Sequence, residues 1–197
     1  MPLSFPAPRS PWIPSAPPGL EGLTTVALDL ETTGLNWWDG DSPIGLSITT
    51  ERGTQYLPFG HRGGGNLDER VVKEWARREL RGKHILGLNT RFDLHFMRAW
   101  GIDLEAQACT VSDVAHSAAL LDDTRRTFSL DALCQDYLDQ EKVGKDLDAT
   151  RMADYHAGAV APRAEADTRQ VWELEQLFAP QLSAQNLTRV KQLENHV

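Results

Sequence analysis

The stretch Ala27-Leu28-Asp29-Leu30-Glu31-Thr32-Thr33-Gly34-Leu35 decides how the rest of the chain is read. As a strand it sends Val26, Leu28 and Leu30 to one face and Ala27, Asp29 and Glu31 to the other. Two carboxylates therefore stand side by side at the end of an apolar strand. Bare like charges in such a place repel each other and are poorly solvated. A divalent cation removes the difficulty, and oxygen-only ligands favour Mg²⁺ or Mn²⁺ over zinc. The plain alternative is an acidic strand end that emerges into water. The following Thr-Thr-Gly-Leu turn favours the first reading, because it sets small polar groups beside the carboxylates. A strand end opening onto a loop is a common place for a site.

The pattern around this strand predicts an α/β domain. Thr24–Leu30 is the first strand. Ile44–Thr50 and Thr54–Phe59 flank Glu51-Arg52-Gly53 and read as a hairpin. Arg62–Gly65 reads as a flexible loop. Asn66 starts a helix, with Glu69 three residues on as in a capping box. His84–Leu88 is a fourth strand, Phe92–Trp100 a helix, and Ala108–Val111 a short strand. Helices follow near Val114–Leu121 and Leu130–Leu138. A last long helix opens at Pro162, a residue favoured at the first helical position, and runs to about Leu182. Three strands, helix, strand, helix, strand, then helices imply a mixed sheet with an antiparallel hairpin and flanking helices. Residues 1–20 are proline-rich and read as an extended arm pinned by Trp12 and Ile13. Residues 21–182 form the domain proper. Residues 183–197 read as the helical start of a linker.

More acids lie further along. Asn89 and Asp93, in Gly87-Leu88-Asn89-Thr90-Arg91-Phe92-Asp93, share a face if a helix begins there. The plain reading is capping by Asn89 with Asp93 as a first-turn charge. Asp167 lies within the last helix. Glu165 is its local competitor, but faces roughly 200° away from it.

Taken together, these segments resemble the DEDD superfamily of 3′–5′ exonucleases, and most of all the proofreading domain of family A DNA polymerases. Asp29-x-Glu31-Thr-Thr-Gly-Leu35 looks like the first motif. Asn89-x-x-x-Asp93, with Phe92 before the acid, looks like the second, and Asp167-Thr-Arg like the third. The resemblance implies a ribonuclease H-like fold and hydrolysis of single-stranded DNA 3′ ends to nucleoside 5′-monophosphates. It implies that Asp29, Glu31 and Asp167 hold one Mg²⁺ or Mn²⁺ ion. Asp29 would also meet a second ion, with Asp93 acting through water. Two such ions sit roughly 3.5–4 Å apart and flank the scissile phosphate. Leu35 would wedge against the terminal base, supported by Phe92 or Phe96. Thr32 and Asn89 would contact the terminal nucleotide. A polymerase domain, linked or associated, is the implied partner.

The pattern breaks at one place. The tyrosine branch of the superfamily has Tyr four residues before the last acid, and the histidine branch has His five before it. Here those positions hold Arg163 and Pro162. Three readings stand: Arg163 meets the phosphate, Tyr155 or His156 reaches in instead, or the site is nearly inactive. Without metal, the i,i+4 spacing predicts an ion pair between Arg163 and Asp167. A free-standing RNA exonuclease similar to ribonuclease D, and a single-strand-binding module with a degenerate site, are the rival functions.

Composition narrows the classes. A net charge of −8 argues against a broad basic nucleic-acid-binding face, though not against a site that holds a short strand through metal. No run of eighteen apolar residues is present, which argues against a membrane span. Cys109 and Cys134 lack zinc-type spacing and lie in apolar surroundings, so they read as buried reduced thiols of a cytoplasmic protein. Trp37 and Trp38 read either as stacking indoles or as one core residue covered by the other. Arg125 and Arg126 read either as contacts to a nucleic-acid backbone or as solvated loop charges.

Overall fold

A computed structural model describes residues 12–194. Five strands form one mixed sheet: β1 (Thr25–Thr32), β2 (Pro43–Thr50), β3 (Gly53–Pro58), β4 (His84–Gly87) and β5 (Thr110–Asp113), in the order β3-β2-β1-β4-β5. β1 pairs antiparallel with β2 and parallel with β4; β2 and β3 form the hairpin, and β4 and β5 run parallel. The helices are α1 (Glu69–Glu79), α2 (Thr90–Ala99), α3 (Val114–Leu121), α4 (Leu130–Leu138), α5 (Ala157–Ala184) and α6 (Thr188–Glu194). Among the described residues no helix is long and apolar enough to cross a membrane.

β1 is central and buried on both faces, so its pattern is not a simple apolar-polar alternation. Val26, Leu28 and Leu30 join Leu46, Ile48, Leu57 and Ile85 in a core roofed by Val72, Trp75 and Ala76 of α1 and Phe96 and Met97 of α2. Ala27 and Leu86 face the opposite way, against α3, α4 and the second half of α5. A third cluster packs Ile44 and Tyr56 against the start of α5. The small side chain of Ala27 leaves room for the long helix to lie close to the sheet.

Several local expectations need correction. α1 starts at Glu69, because Asp68 rather than Asn66 is the N-cap and accepts from the Arg70 N–H. Asn66 is occupied elsewhere, exchanging two hydrogen bonds with the backbone of His61. α5 begins at Ala157, capped by the His156 ring, so Pro162 is inside the helix. Pro162 removes the bond to Gly158, and the burial of Ala157, Val160, Ala161 and Ala164 against Ile44 and Tyr56 offsets that loss. The Gly63–Gly65 tract is not a flexible loop but a close-packed joint. A Cβ on Gly63 would overlap the backbone between Tyr155 and His156, and Gly64 accepts from the Ala157 N–H. In the arm, Trp12 packs on α5 but Ile13 is exposed; backbone carbonyls of Pro18, Ser15 and Ala16 are held by Trp75 and Gln55. Residues 1–11 lie outside the described residues. Both cysteines are free, but only Cys134 is fully buried.

Candidate active site

The end of β1 places Asp29 and Glu31 on the face that α5 covers. Asp29 pairs with Ser47 and Glu31 with Gly45 across the β1–β2 ladder. α5 is locked onto β2 by three buried hydroxyls: Thr168 Oγ1 lies 2.9 Å from Ser47 Oγ and 3.0 Å from Thr49 Oγ1. Asp167, one residue before that peg, is thereby delivered to Asp29. Carboxylate oxygens of Asp29, Glu31 and Asp167 all lie within 4.8 Å of one another. Glu165 points elsewhere and accepts from the Tyr56 N–H of the edge strand β3.

Asp93 stands beside this trio, not within it. It is buried, and its Oδ1 accepts the Leu30 N–H at 3.2 Å, which fastens α2 to β1 between the two strand acids. Asn89 adopts the left-handed conformation before α2, and its side chain does not cap the helix. The cap is Asp113, whose Oδ2 accepts from Thr90 N and Oγ1 while its Oδ1 accepts from Ala115 N at the start of α3. Asp113 thus ties two helix N-termini to the end of β5.

The electrostatics are those of a buried acid cluster. Burial first, and then Asp93, Glu31 and Asp167, push the Asp29 carboxyl well above the ordinary range. Burial raises Glu31 to about 7 against the opposing pull of Arg163. Asp167 rises to about 6, again through burial and against Arg163 and Lys142. Burial also raises Asp93. Among the described residues, no hydrogen bond reaches the carboxylates of Asp29 or Glu31. Recessed, undonated carboxylate oxygens at this spacing fit a hard divalent cation.

Of the two cations that act on Glu31 and Asp167, Arg163 and Lys142, Arg163 has the larger effect. Its Nε is buried without a hydrogen-bond partner, 3.7 Å from Asp167 Oδ2, in the i,i+4 ion pair that the spacing predicts. Its aliphatic chain packs beneath Gly144. Tyr155 and His156 are engaged elsewhere: the Tyr155 hydroxyl accepts from Asp148 N, and His156 caps α5.

The turn after β1 is organised by Asp41, which sequence reasoning missed. Its carboxylate accepts from Thr33 Oγ1 and Asn36 N, and it fills the place a Cβ on Gly34 would take. The Thr32 hydroxyl donates to Gly34 O at 2.6 Å. Leu35 is 73% exposed at the tip. Phe92 is half-buried over Phe96, but Phe96 is sealed in the core and has no free surface for a ligand. Neither Trp37 nor Trp38 enters the core. Arg125 is paired with Asp136 and lies over the Tyr137 ring, whereas Arg126 is exposed.

Residues 19–183 match the profile of a family described as 3′–5′ exonuclease. The chain is 28% identical over 200 residues to DNA polymerase DpoZ of Acinetobacter phage SH-Ab 15497, covering 91% of this chain and 30% of that protein. It is 31% identical over 128 residues to DNA polymerase DpoZ of Salmonella phage PMBT28, covering 64% of this chain and 19% of that one. The chain thus spans less than a third of the length of these relatives. Among solved structures, Brucella melitensis NrnC with bound Mg²⁺ superposes with a TM-score of 0.66 at 19% identity, over 89% of this chain and 83% of that one. The POL domain of Pol1 from M. smegmatis superposes with a TM-score of 0.55 at 20% identity, over 86% and 26%. The fold is ribonuclease H-like.

Proposed function

From the premise that this chain belongs to the 3′–5′ exonuclease family, we propose that it removes nucleoside 5′-monophosphates from single-stranded DNA 3′ ends in a metal-dependent reaction. The single observation that carries this reading is the convergence of Asp29, Glu31 and Asp167 within 4.8 Å. A DNA substrate is favoured by the DNA polymerases among the relatives, and a polymerase domain, linked or associated, is the partner we infer.

Asp29, Glu31 and Asp167 would hold the metal, with Asp93 beside them. Mg²⁺ or Mn²⁺, as a pair, would supply hydroxide at neutral pH and positive charge for the leaving 3′ oxygen. The chain's own residues do the rest. Thr32 and Asn89 would meet the terminal nucleotide. Leu35 presents an apolar edge to its base, with Phe92 behind. Arg163 supplies positive charge to the ion-free cluster and becomes available to a phosphate oxygen once ions take over that role.

The test is parallel digestion of single-stranded DNA and RNA oligonucleotides with Mg²⁺, using native protein and Asp29→Ala. Stepwise 3′ shortening of DNA by the native protein alone is expected. Cleavage of RNA only would replace the DNA assignment, and binding without Mg²⁺- or Mn²⁺-dependent cleavage would reduce the domain to a single-strand-binding module.

A further inference from the structure

Three of the large apolar side chains that this chain exposes lie within four residues of one another, directly after the strand that carries Asp29 and Glu31. They are Leu35, Trp37 (36% exposed) and Trp38 (67% exposed). Exposed indoles cost solvation free energy unless they are covered in use. These two are held in place rather than left loose. The 3₁₀ turn Trp37–Asp39 is closed by Gly40 in the left-handed conformation, and the Asp41 carboxylate ties the turn to Thr33 and Asn36. The Trp37 ring stacks on His95 of α2, with centroids 4.7 Å apart and planes 9° from parallel. Trp38 stands edge-on to Trp37 at 5.6 Å.

The His95 ring also lines an open cavity of about 320 Å³ with Arg91, Leu94, Arg98 and Glu105. That volume is at the lower end of the roughly 300–1,000 Å³ of small-ligand pockets. Arg98 is committed to Asp103 and Glu105, whereas Arg91 is exposed and makes no ion pair among the described residues. Flat rings, one already stacked, next to an unpaired arginine match a nucleobase beside a phosphate. They also answer the problem set by a net charge of −8, since ring stacking holds a strand without a basic face.

We propose that Trp37, Trp38 and His95 form a stacking platform for nucleobases of single-stranded nucleic acid, upstream of the terminal nucleotide, with Arg91 meeting the backbone. The inference rests on the exonuclease reading for the direction of the strand, but its test needs no catalysis. In an Asp29→Asn background, fluorescence anisotropy measures the affinity for labelled oligothymidylate of about eight nucleotides, within the span of known single-strand sites. Adding Trp37→Ala and Trp38→Ala together is expected to weaken binding on the order of tenfold or more, and Trp37→Phe with Trp38→Phe to restore most of it. Affinity for thymidine 5′-monophosphate is expected to stay the same in all of these proteins. Equal oligonucleotide affinity with and without the indoles overturns the platform and leaves a protein-docking surface as the use of this face. Failure of the Asp29→Asn protein to bind the oligonucleotide at all also overturns it. Neither result bears on whether the native protein cleaves.

Discussion

Arg163 is where this chain departs from the motif it otherwise follows, and the structure gives the departure a physical meaning. A guanidinium facing three acids offsets part of their repulsion, so an incoming ion must displace a charge already in place. Arg163→Met and Arg163→Tyr should therefore bind Mn²⁺ more tightly, by about tenfold, the equivalent of one weakened ion pair of roughly 1.4 kcal/mol. Without metal, both variants should melt at lower temperature than the native protein. Arg163→Tyr should also release mononucleotides faster. Calorimetric titration with Mn²⁺ decides the first point: ion binding that weakens or stays the same in both variants would mean that Arg163 does not compete for the site. At this scale the sequence was readable where geometry is local. The two-residue period of a strand is enough to put Asp29 and Glu31 on one face. It said nothing of Asp41, whose work is to hold the Asn36 amide and the Thr33 hydroxyl within a turn.

The element that completes the site is α5, and what positions it is invisible in its own sequence. Asp167 by itself is one acid on a helix surface. It becomes part of the cluster because Thr168 meets Ser47, 121 residues away, and Ser47 lies opposite Asp29. Thr168→Val keeps the volume but strips Ser47 of this partner and Thr49 of one of its two. Leaving a buried hydroxyl unpaired costs about 1–3 kcal/mol, or a fall in Tm of several degrees for a chain of this size. Affinity for Mn²⁺ should fall as well, because α5 is then free to shift along β2. A variant that loses stability but keeps native ion affinity would show that the hydroxyls only fill space. The same long-range logic explains the misread glycines. Gly63–Gly65 has the composition of a linker, yet those residues lack side chains so that the backbone can lie against Tyr155, His156 and Ala157. Likewise, Pro162 suggested a helix start. Packing against Ile44 and Tyr56 outweighs local preference there.

For the whole molecule, the proposed ion site would make folding, proton binding and ion binding one coupled equilibrium. In the ion-free folded state Glu31 keeps its proton to about 7 and Asp167 to about 6. The unfolded chain gives up both protons near the ordinary carboxylate values of about 4. Between those limits the folded state binds more protons than the unfolded state, so these groups lower stability as pH rises. The sign is opposite to that of a salt-bridged acid, whose contribution is lost as pH falls. Divalent ions bind the deprotonated form and reverse the effect. In EDTA, Glu31→Gln should be more stable than the native protein by a margin in Tm that widens from pH 5 to pH 8, through the window in which Glu31 titrates. With saturating Mn²⁺ the order should invert at pH 8, since the variant loses a ligand while the native protein gains the free energy of ion binding. Groups that do not interact with Glu31, such as His61, which burial lowers to about 4, contribute equally to both proteins and cancel in the difference. A difference in Tm that is flat across this range in EDTA would mean that Glu31 does not carry the strain of the ion-free cluster, and an order that does not invert with Mn²⁺ would mean that it does not hold the ion.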